Sequence, residues 1–147
     1  IRNTFQTLKI PAAQFERERA QIIARNHRLF GSGADGPQRI YEIGPHPELI
    51  GQPASAAGPP LSVELADAGD YDNVDPSTGF VPTHIVASVN GPDKHPRDIA
   101  VAVNGTIQAV GNTFTLAVGN AGELVSVMVP ESAFKKGKNT VQVLLQR

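Results

Sequence analysis

Four aspartates lie close together in the middle of the chain, at Asp67, Asp70, Asp72 and Asp75. Hard cations such as calcium bind several oxygen ligands from one flexible loop, so this cluster is the best candidate for a metal site, with calcium as its cofactor. The spacing differs from that of the twelve-residue calcium loop, which has a glycine at its sixth position and a glutamate at its twelfth. We therefore favour the alternative, a solvated turn whose aspartates cap neighbouring backbone amides.

Three lysines form a basic turn near the C-terminus, at Lys135, Lys136 and Lys138 around Gly137. A turn of this kind can contact an anionic polymer, which makes it the second candidate binding site. Lysines between strands more commonly serve solubility, and this is the simpler interpretation.

A histidine and a glutamate form the third candidate. His46 lies between two prolines and two residues before Glu48. Such a pair can do acid–base work or bind a metal. Because no second histidine lies nearby, we favour a structural His-Pro turn. The chain has no cysteine, no serine in a Gly-x-Ser-x-Gly turn and no glycine-rich phosphate loop, so the sequence predicts no nucleophilic catalysis.

Aromatic residues that can face a sugar are few: Tyr41, Tyr71 and Phe80. The chain has no tryptophan. Since large aromatic rings supply the flat surface on which a sugar stacks, the sequence gives only weak support for a carbohydrate site.

The charges are unevenly spread. The 147 residues are 40% hydrophobic and carry a net charge of −1, as is typical of a soluble globular domain. Residues 1–44 hold seven lysines and arginines against four acids, whereas residues 45–99 hold two against eight. No part is basic enough to indicate a nucleic-acid partner.

The chain contains no apolar run near the roughly 18 residues of a membrane span, and no signal-peptide pattern. It begins with Ile1 and not with methionine. We therefore expect an excised or processed domain whose anchor lies upstream.

Alternating apolar residues and Gly/Asn turns predict strands in the second half of the chain. The predicted strands are 61–65, 81–89, 98–103, 106–110, 113–118, 123–129 and 140–146. Asn104-Gly105 between two of them is the strongest hairpin signal. The pattern predicts a mainly β fold, an antiparallel sandwich that is either immunoglobulin-like or jelly-roll-like.

One amphipathic helix is predicted at 11–30, with proline in its first turn and Gly31 as its C-terminal cap. Its apolar stripe consists of Phe15, Ile22, Ile23, Leu29 and Phe30. We expect this stripe to pack on the sandwich or on an upstream domain. A membrane-surface helix is the less favoured alternative, because charges of both signs mix on the polar face.

These elements give a connector at 1–60, with the helix and a short strand at 39–43, and a sandwich at 61–147. Residues 52–60, rich in proline and alanine, are predicted to be a linker. The two parts are expected to form one compact unit.

Five segments together resemble the C-terminal extracytoplasmic region of actinobacterial integral membrane proteins with a sulfatase-like domain of the alkaline phosphatase superfamily. They are Arg-Leu-Phe-Gly-Ser-Gly at 28–33, Ile-Gly-Pro-His-Pro-Glu-Leu-Ile-Gly at 43–51, Asp-Ile-Ala-Val-Ala-Val-Asn-Gly at 98–105, Val-Pro-Glu-Ser-Ala-Phe at 129–134 and Gly-Lys-Asn-Thr-Val at 137–141.

The resemblance implies a non-catalytic accessory domain of a larger membrane-bound protein. Its partners would be the upstream catalytic and transmembrane domains, and its location would be outside the membrane. The family's nucleophile and metal ligands have no counterpart in this chain, so no catalytic residue carries over. The alternative is a module that binds carbohydrate or another cell-envelope polymer.

Overall fold

The computed structural model of the chain describes residues 10–31, 36–91, 95–116 and 122–146. Its strands are β1 (Val63–Leu65), β2 (His84–Val89), β3 (Asp98–Val103), β4 (Thr106–Asn112), β5 (Phe114–Thr115), β6 (Glu123–Met128) and β7 (Val141–Leu145). The α-helix α1 spans Ala12–Phe30. Short 3-10 helices span Gly36–Glu42, Pro47–Leu49, Ala54–Ala56, Ala68–Tyr71, Pro76–Thr78 and Glu131–Ala133.

The strands form two antiparallel sheets, in the orders β1-β2-β6-β5 and β4-β3-β7. This confirms the predicted mainly β sandwich. The hairpin at Asn104-Gly105 is also confirmed, since both residues have positive φ, 51° and 82°, and join the paired strands β3 and β4. The last two residues of the strand predicted at 113–118 lie outside the described residues.

The core lies between the sheets, and the side chains of β3 alternate between its two faces as the sequence predicted. Ile99, Val101 and Val103 of β3 point inward and are fully buried. Their neighbours Ala100 and Ala102 point to the opposite face, and they too are fully buried. β3 is therefore covered on both faces, which requires a further layer outside the three-stranded sheet.

That layer is residues 49–61, which we call the strap. At one end of the strap, the Gly51 amide donates to the Ile107 carbonyl of β4 at 2.8 Å. At the other end, the Leu61 amide donates to the Val143 carbonyl of β7 at 2.8 Å. Ala57 of the strap packs in the cluster that includes Ala100, Ala102 and Leu144.

The strap corrects the interpretation of residues 52–60 as a linker. A segment rich in proline and alanine is typical of a connector between domains, but this segment crosses one face of the three-stranded sheet. Backbone bonds from the strap occupy the outer edges of both β4 and β7. The small side chains of Ala100 and Ala102 leave the space that a crossing backbone needs.

The segment before the strap lies tightly against β4. A Cβ added to Gly44 would overlap the backbone of Val110 and Gly111. We expect Gly44→Ala to lower the free energy of unfolding by about 1–3 kcal/mol, because the backbone must move apart. Gly69→Ala is the matched control, since no atom lies within 4 Å of its added Cβ and its φ is not positive. Chemical denaturation of both variants checks this, and equal midpoints would contradict the described contact.

The strand predicted at 39–43 is instead part of the 3-10 helix Gly36–Glu42. Its helical backbone lets Tyr41 pack against the core while Ile40 and Ile43 stay about half exposed. The strap already bonds to the outer edge of β4 at Gly105 and Ile107, so that part of the edge is not open to a further strand.

The helix α1 begins one residue later than predicted, with Pro11 at its N-cap, and ends at Phe30 as predicted, with Gly31 at its C-cap. The Gly31 amide donates to the His27 carbonyl at 2.9 Å, and Gly31 has φ 68°. No residue of α1 is buried. The apolar stripe was expected to pack on the sandwich or on an upstream domain, and the structure shows that the sandwich does not cover it. In the described part of the chain, no helix is both long and apolar enough to cross a bilayer.

Candidate functional site

The acidic loop (residues 67–79) and the lysine turn (residues 135–139) lie side by side. The Lys138 ammonium is 2.8 Å from the Asp72 carboxylate, and the Lys136 ammonium is 3.1 Å from that of Asp75. Val74 and Gly137 also exchange two backbone hydrogen bonds, of 3.0 and 2.8 Å. The two binding sites that the sequence suggested separately are thus neighbours, and they partly neutralise each other.

These ion pairs shift the ionisation of their members. The hydrogen bond from Lys138 to Asp72 raises the pKa of the Lys138 ammonium. Hydrogen bonds from Ser77, and then from Lys136, lower the pKa of Asp75. Because these side chains are largely exposed, both effects are screened by water and salt.

The calcium site suggested at the four aspartates stays a prediction. Within the described ranges, no group of three or more acids and histidines is placed to hold a metal ion. Asp75 caps the 3-10 helix that follows it, accepting hydrogen bonds from the Ser77 amide at 3.1 Å and the Ser77 hydroxyl at 2.7 Å. Asp75 therefore caps a neighbouring amide as predicted, whereas the Asp67 side chain makes no capping hydrogen bond to the helix Ala68–Tyr71.

Asn139 holds the lysine turn in place. Its side chain is almost fully buried, and its Oδ1 accepts from the Lys135 amide at 2.9 Å and from Asn104 Nδ2 at 2.8 Å. Its Nδ2 donates to the carbonyls of Lys135 and Gly137 at 2.8 and 2.9 Å. Every hydrogen-bonding atom of the amide is therefore satisfied.

Among the residues that the structure describes, the most exposed large apolar side chain lies at the end of the acidic loop. Phe80 follows Gly79, whose φ of 79° turns the chain outward after the helix Pro76–Thr78. The Phe80 side chain is 64% exposed and borders two clefts, of about 440 and 270 Å³. Phe80, Asp70 and Pro82 line both clefts.

Polar groups complete the two clefts. The larger cleft is also lined by Asn73 and Thr78, and the smaller by Asp67 and His84. The carboxylates of Asp67 and Asp70 form no hydrogen bond or ion pair within the part of the chain that is described. These acceptors therefore remain available to a ligand.

Both carboxylates act on the neighbouring Tyr71. Burial raises the pKa of the Tyr71 hydroxyl, and the negative charges of Asp67 and Asp70 raise it further. Tyr71 is only 5% exposed, and its ring stacks on that of Phe134 with centroids 6.2 Å apart. The Tyr71 ring is buried in the wall of the smaller cleft and offers no exposed face on which a sugar ring could stack. Of the three aromatic candidates, Phe80 alone is exposed, because Tyr41 also packs against the core.

His46 and Glu48 do meet, with His46 Nδ1 2.9 Å from Glu48 Oε1. The hydrogen bond from His46 lowers the pKa of Glu48. Both side chains are about half exposed or more and belong to one tight turn, where His46 has φ 58°. The contact is the structural turn that the sequence favoured.

Sequence reasoning missed one buried charge pair. Glu123 is 1% exposed, and its carboxylate is bound by Arg97 through Nε at 3.0 Å and a terminal nitrogen at 2.5 Å. The Thr113 hydroxyl donates to the same carboxylate. Glu123 lies on the inward face of β6, as Val125 does. An acid at an inward position of a predicted strand was the sequence signal that could have indicated a buried ion pair, because a buried charge needs a partner.

Comparison with family models, with curated proteins and with solved structures finds no match to this chain. Chemically, the Phe80 clefts combine a flat apolar ring with oxygen acceptors and hydroxyl groups. Such a surface binds a ligand that has an apolar face and hydroxyl groups at its edges.

Proposed function

We propose that this chain is a non-catalytic, extracytoplasmic accessory domain that binds carbohydrate of the cell envelope through Phe80. The observation that carries the proposal is the exposed Phe80 ring between two clefts that share Asp70. The C–H face of a sugar ring stacks on the aromatic ring, and the sugar hydroxyls donate to the carboxylates of Asp67 and Asp70.

The charge of the clefts narrows the class of sugar. Within the described residues Asp67 and Asp70 pair with no cation, whereas Asp72 and Asp75 are paired with lysines. Two unpaired carboxylates repel a phosphate, sulfate or uronate group on the ligand. The sugar recognised at Phe80 is therefore neutral or carries an amine.

The wider setting of the proposal comes from the sequence resemblance. The domain would extend a membrane-bound, sulfatase-like protein, with the upstream catalytic and transmembrane domains as its partners. The chain itself contributes binding, so the purified chain is expected to turn over neither sulfate nor phosphate esters. Turnover that survived stringent purification would contradict the accessory role.

Retention on insoluble envelope polysaccharide tests the binding. We expect the full chain to be retained with calcium and with chelator alike, because in this proposal Phe80 and the two carboxylates hold the sugar directly. Phe80→Ala should weaken retention about tenfold or more, as is typical when a central aromatic contact is removed.

Phe114→Ala is the matched control, because Phe114 is the exposed phenylalanine of β5, in another part of the molecule. It should bind as the wild type does. Equal retention of the wild type and both variants would show that the polysaccharide binds elsewhere on the chain. Loss of retention in the presence of chelator would show that binding requires a metal ion.

A further inference from the structure

The helix α1 carries an apolar stripe, interrupted by Arg19 and Asn26, that the rest of the described chain leaves open. The stripe residues are 38–59% exposed: Phe15, Ile22, Ile23, Leu29 and Phe30. At 3.6 residues per turn they fall within about one third of the helix circumference. The helix is about 28 Å long, at 1.5 Å per residue, so the stripe is long and narrow.

The charges of α1 are arranged along its length. Its only acids, Glu16 and Glu18, lie near its N-terminus, and from Arg19 to Phe30 it has three arginines and no acid. Over the whole helix, four arginines oppose two glutamates. By contrast, residues 45–99 hold two basic residues against eight acids. The helix, with a net charge of +2, is therefore a basic element in a chain whose net charge is −1.

We propose that α1 lies flat on an anionic lipid surface, with its stripe at the boundary between headgroups and acyl chains. A helix of net positive charge with Phe, Leu and Ile on one face resembles in composition the helices that bind at membrane interfaces, and its two acids are confined to its N-terminal part. Arg25, which flanks the stripe, would contact the lipid phosphates, which favour arginine as a bidentate donor. This surface is independent of the Phe80 clefts.

A second copy of the chain is the competing partner for this stripe. An antiparallel pair of helices would place Glu18 of one copy near Arg25 of the other, which is favourable. It would also bury Arg19 and Asn26, which lie within the stripe, in the seam between the helices. At a lipid surface the long Arg19 side chain can instead extend to the headgroups. The Arg19 side chain is more than half exposed, as is that of Glu16, with which it forms an ion pair at 3.0 Å.

Vesicle sedimentation with the full chain tests the proposal. Wild type should bind vesicles made of equal parts phosphatidylglycerol and phosphatidylcholine. It should bind phosphatidylcholine vesicles weakly, and high salt should release it. Ile22→Glu should weaken binding to the anionic vesicles about tenfold or more, because it removes a central stripe residue.

Gln21→Glu is the matched control. It adds the same charge one position earlier, on the polar face of the helix, and should weaken binding far less than Ile22→Glu. Equal loss for the two variants would show a purely electrostatic contact and would overturn the placement of the stripe in lipid. Absence of vesicle binding, together with a dimer in light scattering that Ile22→Glu dissociates, would assign the stripe to a second copy. Phe80→Ala should bind vesicles as the wild type does, so this test stands apart from the one for carbohydrate.

Discussion

Arg97→Ala is expected to lower the free energy of unfolding by about 3–5 kcal/mol, because it leaves the Glu123 carboxylate buried without its main partner. Glu123 is 1% exposed and lies on the inward face of β6. After the substitution, the Thr113 hydroxyl still donates to this carboxylate, but the guanidinium that balances its charge is gone. Denaturant unfolding at neutral pH measures the loss.

The pH dependence gives this prediction a second readout. Burial alone would raise the pKa of Glu123, but the hydrogen bonds from Arg97 and Thr113 and the charges of Arg97 and His95 bring it below its ordinary value of 4.5. A lowered folded-state pKa contributes stability above 4.5, which is lost as the pH falls through the folded-state pKa. In Arg97→Ala the burial remains, so the pKa of Glu123 should rise, and acid should relieve the penalty. The stability gap between variant and wild type should therefore narrow on acidification.

Arg19→Ala is the control for this pair. Arg19 forms an ion pair with Glu16 at 3.0 Å, but both side chains are more than half exposed. Its loss should change the free energy of unfolding by less than about 1 kcal/mol. If Arg97→Ala were no more destabilising than Arg19→Ala, Glu123 could not be buried as described.

Asn139→Ala should lower the free energy of unfolding by about 2–4 kcal/mol. The amide makes four hydrogen bonds, to Asn104, to the amide and carbonyl of Lys135 and to the carbonyl of Gly137. Alanine would leave these partly buried groups without their side-chain partner, and unsatisfied groups shielded from water are costly. The lysine turn should also loosen, which amide hydrogen exchange at Gly137 would detect.

Asn90→Ala provides the comparison for Asn139. Asn90 is exposed, and its side-chain amide makes one hydrogen bond, to the Ser62 hydroxyl at 3.3 Å. Its replacement should cost less than about 1 kcal/mol. Equal unfolding midpoints for the two variants would mean that the Asn139 network does not hold the turn.

The strands could be predicted because their signals are local. Alternation of apolar residues sets the inward face of β3, and Asn104-Gly105 favours the positive φ of a hairpin turn. The strap could not be predicted in this way. Its role depends on Ala100 and Ala102, which lie some forty residues along the chain, and local composition indicates only a connector.

The candidate site was predicted in pieces. The sequence singled out the aspartates, the lysines and Phe80, but not that Asp72 pairs with Lys138 across more than sixty residues. That pairing decides which carboxylates stay available to a ligand, and it arises only from tertiary structure. Exposure likewise separates Phe80 from Tyr71, although both are aromatic residues in or beside the same loop.

The most direct measurement for the carbohydrate proposal is an NMR titration of the isotope-labelled full chain with soluble, neutral fragments of envelope polysaccharide. We expect saturable shifts of the amide signals around the Phe80 clefts, at residues 67–84, and no such shifts in Phe80→Ala. Shifts that cluster elsewhere, or that persist unchanged in Phe80→Ala, would contradict the proposed site.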